Sequence, residues 1–260
     1  RWLFSTALEA GLEVDAIDLA DEYQKRPQPD ATTRGLAQQA QILGQAMSGK
    51  TDDAVKNFSG MLRFARLQTG GALIDFGRRL ATKLRMAGDL DASRAVYEQV
   101  ANKFFLNADV RHICENHIAR LELVGKPAPE LGSTDTSNET VDLTEYQGKV
   151  VLLDFWATNC PPCIEELPNI LQLHRDFRDR GFEVVGVSLD GDDSLVASFT
   201  QRAGMSWRQI VDPTDVQALR DRYMVEKIPS LYVIDRSGNV AQFDVKGNDL
   251  RQTIDKLLGK

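Results

Sequence analysis

The chain has 260 residues, of which 42% are hydrophobic and 27% are charged, a balance typical of proteins that fold around packed cores. Its formal net charge is −7 and no basic block is present, so nothing supports a nucleic-acid or anionic-membrane surface. The longest apolar runs, such as 150–153, are too short to cross a bilayer. Three cysteines are too few for a disulfide scaffold, but they suffice for one functional pair and one spare thiol.

Residues 1–124 are predicted to form an all-α domain. Glycine, small and bulky residues recur with the same internal spacing in three stretches, which start 38 and 39 residues apart. The three sets are Gly11, Ala16, Ala20 and Tyr23; Gly49, Ala54, Phe58 and Met61; and Gly88, Ser93, Tyr97 and Val100. The pattern resembles tetratricopeptide-like arrays of stacked helical hairpins. An ordinary helical bundle also needs glycine turns and small contact residues, so both arrangements stay open.

A predicted amphipathic helix at 109–124 closes this domain. Cys114 falls on its apolar stripe, where a free cysteine is most often a small buried hydrophobic residue. His112 lies two residues away and faces another side of the helix, so the two side chains are poorly arranged to hold one metal ion.

Residues 125–260 are predicted to form a second domain with an α/β fold. A Gly-Lys-Pro-Ala-Pro-Glu stretch at 125–130 breaks the preceding helix, and the polar residues 132–138 read as a boundary. The predicted strands are 149–157, 182–188, 230–235 and 240–244, the predicted helices are 164–180, 194–203, 214–223 and 250–258, and Ile-Val-Asp at 210–212 precedes the third helix. This alternation favours a central sheet covered on both faces, with its chemistry at the carboxyl ends of strands.

Two cysteines, Cys160 and Cys163, lie just past the first of these strands and enclose two prolines. Proline is tolerated in the first turn of a helix, so the next helix is predicted to begin directly after Cys160. The positive end of the helix dipole, with the Cys163 N–H group as a candidate donor, lowers the pKa of a thiol at that position. The pattern indicates that Cys160 attacks and that Cys163, one turn into the helix, resolves the mixed disulfide.

The structural alternative for an isolated cysteine pair is a zinc site, which needs two more ligands. The remaining donors are Cys114, His112, His117 and His174, and they supply no second ligand pair within 125–260. The sequence therefore favours a redox-active dithiol, with no metal and no cofactor besides the Cys160–Cys163 disulfide.

The residues around the dithiol resemble the thioredoxin fold, and more closely the TlpA/ResA-like thiol-disulfide oxidoreductases. The matching stretches are Asp-Phe-Trp-Ala-Thr-Asn-Cys-Pro-Pro-Cys at 154–163, Glu-Glu-Leu-Pro at 165–168 and Lys-Ile-Pro-Ser at 227–230, and the resemblance covers about 125–260. It implies a thioredoxin-like central mixed sheet flanked by helices, preceded here by the all-α domain. It also implies an enzyme that exchanges electrons with protein disulfides.

The resemblance assigns functions to several residues near the dithiol. Asp154 is implied to be a buried carboxylate that takes the proton of Cys163, with a purely structural aspartate as the alternative. Glu166 is implied to tune the dithiol or contact substrate, although an exposed glutamate is also favoured in a first helical turn. Trp156 is implied to pack near the site, with plain core packing as its rival.

The substrate groove is implied to form around a cis Ile228–Pro229 peptide, whose free backbone groups pair with an extended client segment. A trans turn before a strand is the alternative. Asn159 departs from the family, which usually has tryptophan directly before the first cysteine. Substrate range and redox potential are the properties that this change puts in doubt.

The resemblance further implies protein disulfide or dithiol clients, a membrane thiol reductant, and a periplasmic or other extracytoplasmic location with a membrane tether in a segment preceding Arg1. The helical domain is expected to bind a protein partner, and nucleic acid is not expected. Two other functions stay open: a peroxiredoxin-like peroxidase, in which threonine is usual where Ala157 stands, and a partner-binding module with an inactive dithiol.

Overall fold

The computed structural model of the protein describes residues 17–20, 22, 31–64 and 70–259. The chain divides into two compact units, Arg1–Leu121 and Glu122–Lys260. No helix in the described part of the chain is both long enough and apolar enough to cross a membrane.

In its described ranges the first unit consists of helices joined by short turns. Its helices include α1 (Ala31–Met47), α2 (Thr51–Phe64), α3 (Gly70–Met86), α4 (Leu90–Lys103) and α5 (Ala108–Leu121). Helix α4 begins after Asp89, whose carboxylate accepts the Ala92 N–H group at 2.8 Å and so satisfies one of the free donors of the first turn. Cys114 is buried on α5, and burial, with the charge of Glu115, raises its pKa to about 11, as suits a core thiol.

Two of the three recurring stretches occupy equivalent positions in this unit. Gly49 and Gly88 have φ angles of 79° and 92° in the turns before α2 and α4, a backbone conformation that favours glycine. The small and bulky residues that follow are buried, apart from the half-buried Met61: Ala54, Phe58, Ser93, Tyr97 and Val100. In the first stretch Ala20 is buried, whereas Gly11, Ala16 and Tyr23 lie outside the described residues.

The second unit is built on a five-stranded mixed sheet, which confirms the predicted α/β class. Two short strands, β1 (Ser133–Thr134) and β2 (Thr140–Val141), precede the sheet in the chain. The strands of the sheet are β3 (Val150–Trp156), β4 (Phe182–Ser188), β5 (Arg208–Ile210), β6 (Ser230–Ile234) and β7 (Val240–Phe243), in the order β5-β4-β3-β6-β7. Its helices are α6 (Pro161–Phe177), α7 (Asp193–Ala203), α8 (Pro213–Arg222) and α9 (Gly247–Leu258). The β4 and β5 strands run parallel to β3, and β6 runs antiparallel to it.

The stretch interpreted from its polarity as a boundary has structure of its own. It contains a two-stranded antiparallel ribbon of β1 (Ser133–Thr134) and β2 (Thr140–Val141), followed by a 3-10 turn at Leu143–Tyr146. Asp135 lies between the two strands, and its carboxylate pairs with Arg208 of β5 at 2.6 Å. The ribbon is held by this long-range ion pair, which local sequence patterns do not reveal.

The central strand β3 leads from the core of the sheet to the segment that contains the two cysteines. All seven of its residues are buried, as expected for a strand with neighbours on both sides and helices on both faces. Its register aligns Asp154 with Gly186 on β4 and with Leu231 on β6. Residues 157–159 follow β3, and α6 begins at Pro161, directly after Cys160, as predicted from the prolines.

Candidate active site

The two cysteines of the second unit form a disulfide, with the Cys160 and Cys163 Cα atoms 5.3 Å apart. Cys160 occupies the N-cap position of α6, and the Cys163 N–H group donates to its sulfur at 3.3 Å. This is the donor that the sequence pattern predicts. Cys160 is 7% exposed and Cys163 is 5% exposed, so both residues are almost fully buried in the disulfide form.

Asp154 is a buried acid on the same strand that leads to the dithiol, and 4% of it is exposed. Burial, followed by the negative charge of Glu166, raises its pKa to about 7, and the positive charge of Lys246 partly opposes this shift. A carboxyl group with this pKa can both accept and release a proton near neutral pH.

Glu166 lies one turn beyond Cys163 on α6 and is half-buried. Its Oε1 atom accepts the Gly247 N–H group at 2.9 Å and the Asn169 side-chain amide at 2.6 Å. The first of these bonds satisfies a backbone donor at the start of α9. Glu166 therefore joins two helices next to the acid, and it is not simply a glutamate in solvent.

Trp156 is 2% exposed and packs within the second unit. Its Nε1 group donates to Gln209 Oε1 at 3.0 Å, and its ring contacts that of Phe199 with centroids 5.4 Å apart. Gln209 lies across Gly186, where an added Cβ would come within 2.0 Å of Gln209 Oε1. Trp156 is therefore a buried, hydrogen-bonded residue at the end of the strand that leads to the cysteines.

The Ile228–Pro229 peptide is cis, as the family resemblance implies, and both residues are half-buried. Pro229 directly precedes β6, whose first residue Ser230 aligns with Phe155 of β3. The register therefore brings Pro229 to the end of the sheet at which β3 leads to the cysteines. Asn159 is exposed directly before Cys160.

Sequence reasoning missed three residues around this site. Asp190 binds the backbone and hydroxyl of Thr158, Gln209 binds Trp156, and Lys246 influences Asp154. Asp190 and Lys246 each lie two residues after a predicted strand, 182–188 and 240–244. Their position near the ends of these strands was the signal that could have identified them. For Gln209 the sequence contains no such signal.

The described residues contain no group of three or more His, Cys, Asp or Glu side chains that could hold a metal ion. Each residue of the site lies within the second unit, and the chemistry available there is that of two sulfurs, one buried acid and their neighbours.

A family model described as the AhpC/TSA family matches residues 124–243. Two proteins named thiol-disulfide oxidoreductase ResA, from Geobacillus kaustophilus and Oceanobacillus iheyensis, are 32% and 33% identical over 135 and 140 residues. Each alignment covers 52% of this chain, and they cover 76% and 70% of the two relatives. The thioredoxin domain of a thiol-disulfide oxidoreductase from Bacteroides vulgatus superposes with a TM-score of 0.49 at 28% identity, over 52% of this chain and 98% of that one.

These relatives confirm the resemblance inferred from the motifs, and with it the prediction of an enzyme. The matched family model begins at residue 124, so the helical unit lies outside it. The chain belongs to the ResA-like thiol-disulfide oxidoreductases, and the matched family model lies in its C-terminal half.

Proposed function

We propose that the protein exchanges electrons with disulfides of client proteins through a mixed disulfide on Cys160. The observation that carries the proposal is the Cys160–Cys163 disulfide at the first turn of α6, with the Cys163 N–H group donating to the Cys160 sulfur. A backbone donor and a helix N-terminus both stabilise a thiolate. Cys160 is therefore the better candidate for the attacking thiol.

In the reducing direction, the thiolate of reduced Cys160 attacks one sulfur of a client disulfide. An S–S bond forms between Cys160 and the client, and the second client sulfur leaves as a thiolate that takes a proton from solvent. Cys163 then loses its proton, attacks the Cys160 sulfur and displaces the remaining client thiolate. The client gains two electrons and the protein retains the Cys160–Cys163 disulfide; the oxidising direction is the reverse.

Asp154 is proposed to accept the proton of Cys163 during this second step. Its raised pKa of about 7 supports the proposal, because a base works best when its pKa lies near the working pH. Glu166 is proposed to tune the acid through its negative charge, which is among the causes of the raised pKa of Asp154.

The client is proposed to bind along the cis Ile228–Pro229 peptide and the exposed Asn159. Half-burial of the peptide at the end of the sheet near the cysteines supports this surface. Trp156 is proposed to support the groove from within the fold, since it is almost fully buried. With the short amide Asn159 in place of the usual tryptophan, we expect the groove to be more open beside the sulfurs.

The family resemblance supports an extracytoplasmic location, in the periplasm or the cell envelope, and a membrane thiol carrier as the electron source. We propose that the helical unit binds a protein partner. Two observations support this proposal: the helical unit is compact, and it lies outside the matched family model. It is therefore available for a function other than thiol exchange.

Cysteine variants of the full chain test the proposed function. Cys160→Ser is expected to abolish reduction of a protein disulfide, and Cys163→Ser to accumulate a mixed disulfide with the client on a non-reducing gel. Cys114→Ser is the matched control, because that thiol is buried in the helical unit, and its rate should equal the wild type. Reduction by Cys160→Ser at the wild-type rate would contradict the proposal. Rapid consumption of hydrogen peroxide by the wild type would instead favour the peroxidase.

A further inference from the structure

We infer that Asp190 is a positioning residue for Cys160. It holds the segment that leads from β3 into α6, and so keeps the Cys160 sulfur in the geometry that a reactive thiolate needs. The inference rests on the proposed function of the dithiol.

The Asp190 carboxylate accepts hydrogen bonds from three donors on two segments. The Thr158 N–H group lies 2.9 Å from Oδ2 and 3.2 Å from Oδ1, and the Thr158 hydroxyl donates to Oδ1 at 2.7 Å. The Ser188 hydroxyl donates to Oδ2 at 2.7 Å. Thr158 and Asp190 are half-buried, so these charge-assisted bonds are partly shielded from water and are stronger than neutral bonds at an exposed site.

The carboxylate is itself held at a rigid strand end. Ser188, the last residue of β4, is completely buried, and its hydroxyl oxygen accepts the Asp190 N–H group at 3.3 Å. The Leu189 N–H group donates to the Trp156 carbonyl at 2.8 Å, which joins the ends of β3 and β4. Asp190 therefore reaches Thr158 from the sheet and not from a free loop.

Only one residue separates Thr158 from Cys160, so the anchor acts close to the sulfur. The Cys160 N–H group bonds to the Ala157 carbonyl at 3.3 Å, which closes a turn around Thr158. In the oxidised protein the disulfide bond to Cys163 also fixes the position of the Cys160 sulfur. In the reduced protein that bond is absent, so the turn that follows β3 has a larger part in positioning the sulfur. Loss of the Asp190 contacts is therefore expected to destabilise the reduced, ionised dithiol more than the disulfide.

The negative charge of Asp190 acts in the opposite direction, because a nearby carboxylate disfavours a thiolate. The two effects can be separated. Asparagine retains the shape and an acceptor oxygen for Thr158 but carries no charge, whereas alanine removes both the contacts and the charge. A positioning function predicts that only the alanine variant raises the pKa of Cys160.

The experiment measures two properties of the full chain in each variant. The pKa of Cys160 is obtained from the pH dependence of alkylation by iodoacetamide, and the exchange constant is measured against dithiothreitol. The variants are Asp190→Ala, Asp190→Asn and Thr158→Val, which removes one hydroxyl donor. The control is Asp192→Ala, since Asp192 caps α7 through the Leu195 N–H group at 3.0 Å and is bonded to a different segment.

Asp190→Ala is expected to raise the pKa of Cys160 and to shift the exchange constant toward the disulfide by about tenfold, or about 30 mV. Thr158→Val should shift the constant in the same direction by about threefold. Asp190→Asn should leave the pKa of Cys160 unchanged or lower it, and Asp192→Ala should match the wild type.

A lower Cys160 pKa in both Asp190 variants would overturn the inference, since the carboxylate would then act through its charge alone. If Asp190→Ala does not fold, an unchanged exchange constant in Thr158→Val overturns it equally. Failure of the wild type to reduce a protein disulfide would remove the proposed function. An active wild type with an unaltered Asp190→Ala variant would remove only the inference.

Discussion

Asp154 is a buried acid whose position on the central strand lowers the stability of the fold when it is ionised. It lies on the central strand, where each neighbouring residue is buried, and an ionised carboxylate in such a position loses most of its hydration. This loss of hydration, together with the charge of Glu166, raises the pKa of Asp154 to about 7, and the positive charge of Lys246 partly offsets the shift. An amide or an aliphatic residue at this position would avoid the free-energy cost of burying an ionisable carboxyl group. The presence of the acid is therefore an argument for a function.

Asp154→Asn is expected to remove a pH dependence of folding in the oxidised protein. The folded pKa of Asp154 lies above its ordinary value of 3.8, so its contribution to stability is complete below pH 4 and is lost as pH rises to about 7. The stability of the wild type relative to Asp154→Asn should therefore fall by up to about 4 kcal/mol between these limits. Urea unfolding of both proteins from pH 4 to pH 8 measures the difference, and a difference independent of pH would contradict the assignment.

Glu166→Gln is expected to lower the pKa of Asp154, because it removes a nearby negative charge. The substitution retains an oxygen that can accept the Gly247 N–H group, so the junction between α6 and α9 should persist. Carbon-13 NMR titration of the Asp154 carboxyl group measures the change. Glu165→Gln is the matched control, since Glu165 is exposed and is not among the causes of the Asp154 pKa shift; equal titrations in the two variants would count against the proposed tuning.

At the scale of elements, strands β4 and β5 depend on a close contact between Gly186 of β4 and the Gln209 side chain of β5. Gly186 aligns with Asp154 on β3 and with Gln209 on β5, and the Gln209 side chain crosses over it to reach the Trp156 indole. A side chain at position 186 would occupy the space of that amide. The glycine thus allows the hydrogen bond that orients the buried tryptophan beneath the site.

Gly186→Ala is expected to destabilise the second unit by about 1–3 kcal/mol, because the new methyl group displaces a buried, hydrogen-bonded amide. Urea unfolding measures the loss. In a Gln209→Ala background the obstructing amide is absent, so the same substitution should cost less, and the double-mutant cycle should be non-additive. Additive costs would show that the amide is not the obstacle.

The elements with strong local signals were predictable. The apolar run gives β3, the prolines give the start of α6, and the dithiol identifies the chemistry. The missed features depend on contacts between distant positions. Thr158 and Asp190 are 32 residues apart, Trp156 and Gln209 are 53 apart, and the ribbon of β1 and β2 depends on an ion pair spanning 73. Local periodicity carries no information about such pairs, because the fold alone brings them together.

At the scale of the whole molecule, the two units contain separate cores. The helical unit buries the aromatic and aliphatic faces of its own helices, with Phe58 and Phe76 in ring contact 5.8 Å apart. The second unit buries its sheet between helices and has a cluster of its own around Phe155, Tyr223 and Tyr232. Each unit therefore has the packed interior that independent folding requires.

Residues 122–260 alone are expected to fold and to retain the redox properties of the full chain, because the dithiol, the acid and their contacts belong to that unit. The midpoint potential of the fragment, measured against glutathione, should lie within about 10 mV of the full-chain value, which corresponds to a factor of about two in the exchange constant. A protein client is the sharper probe. If the helical unit binds the client, KM for that client rises in the fragment while reduction of a small aromatic disulfide stays unchanged. Equal loss of both activities would show instead that the helical unit supports the dithiol itself.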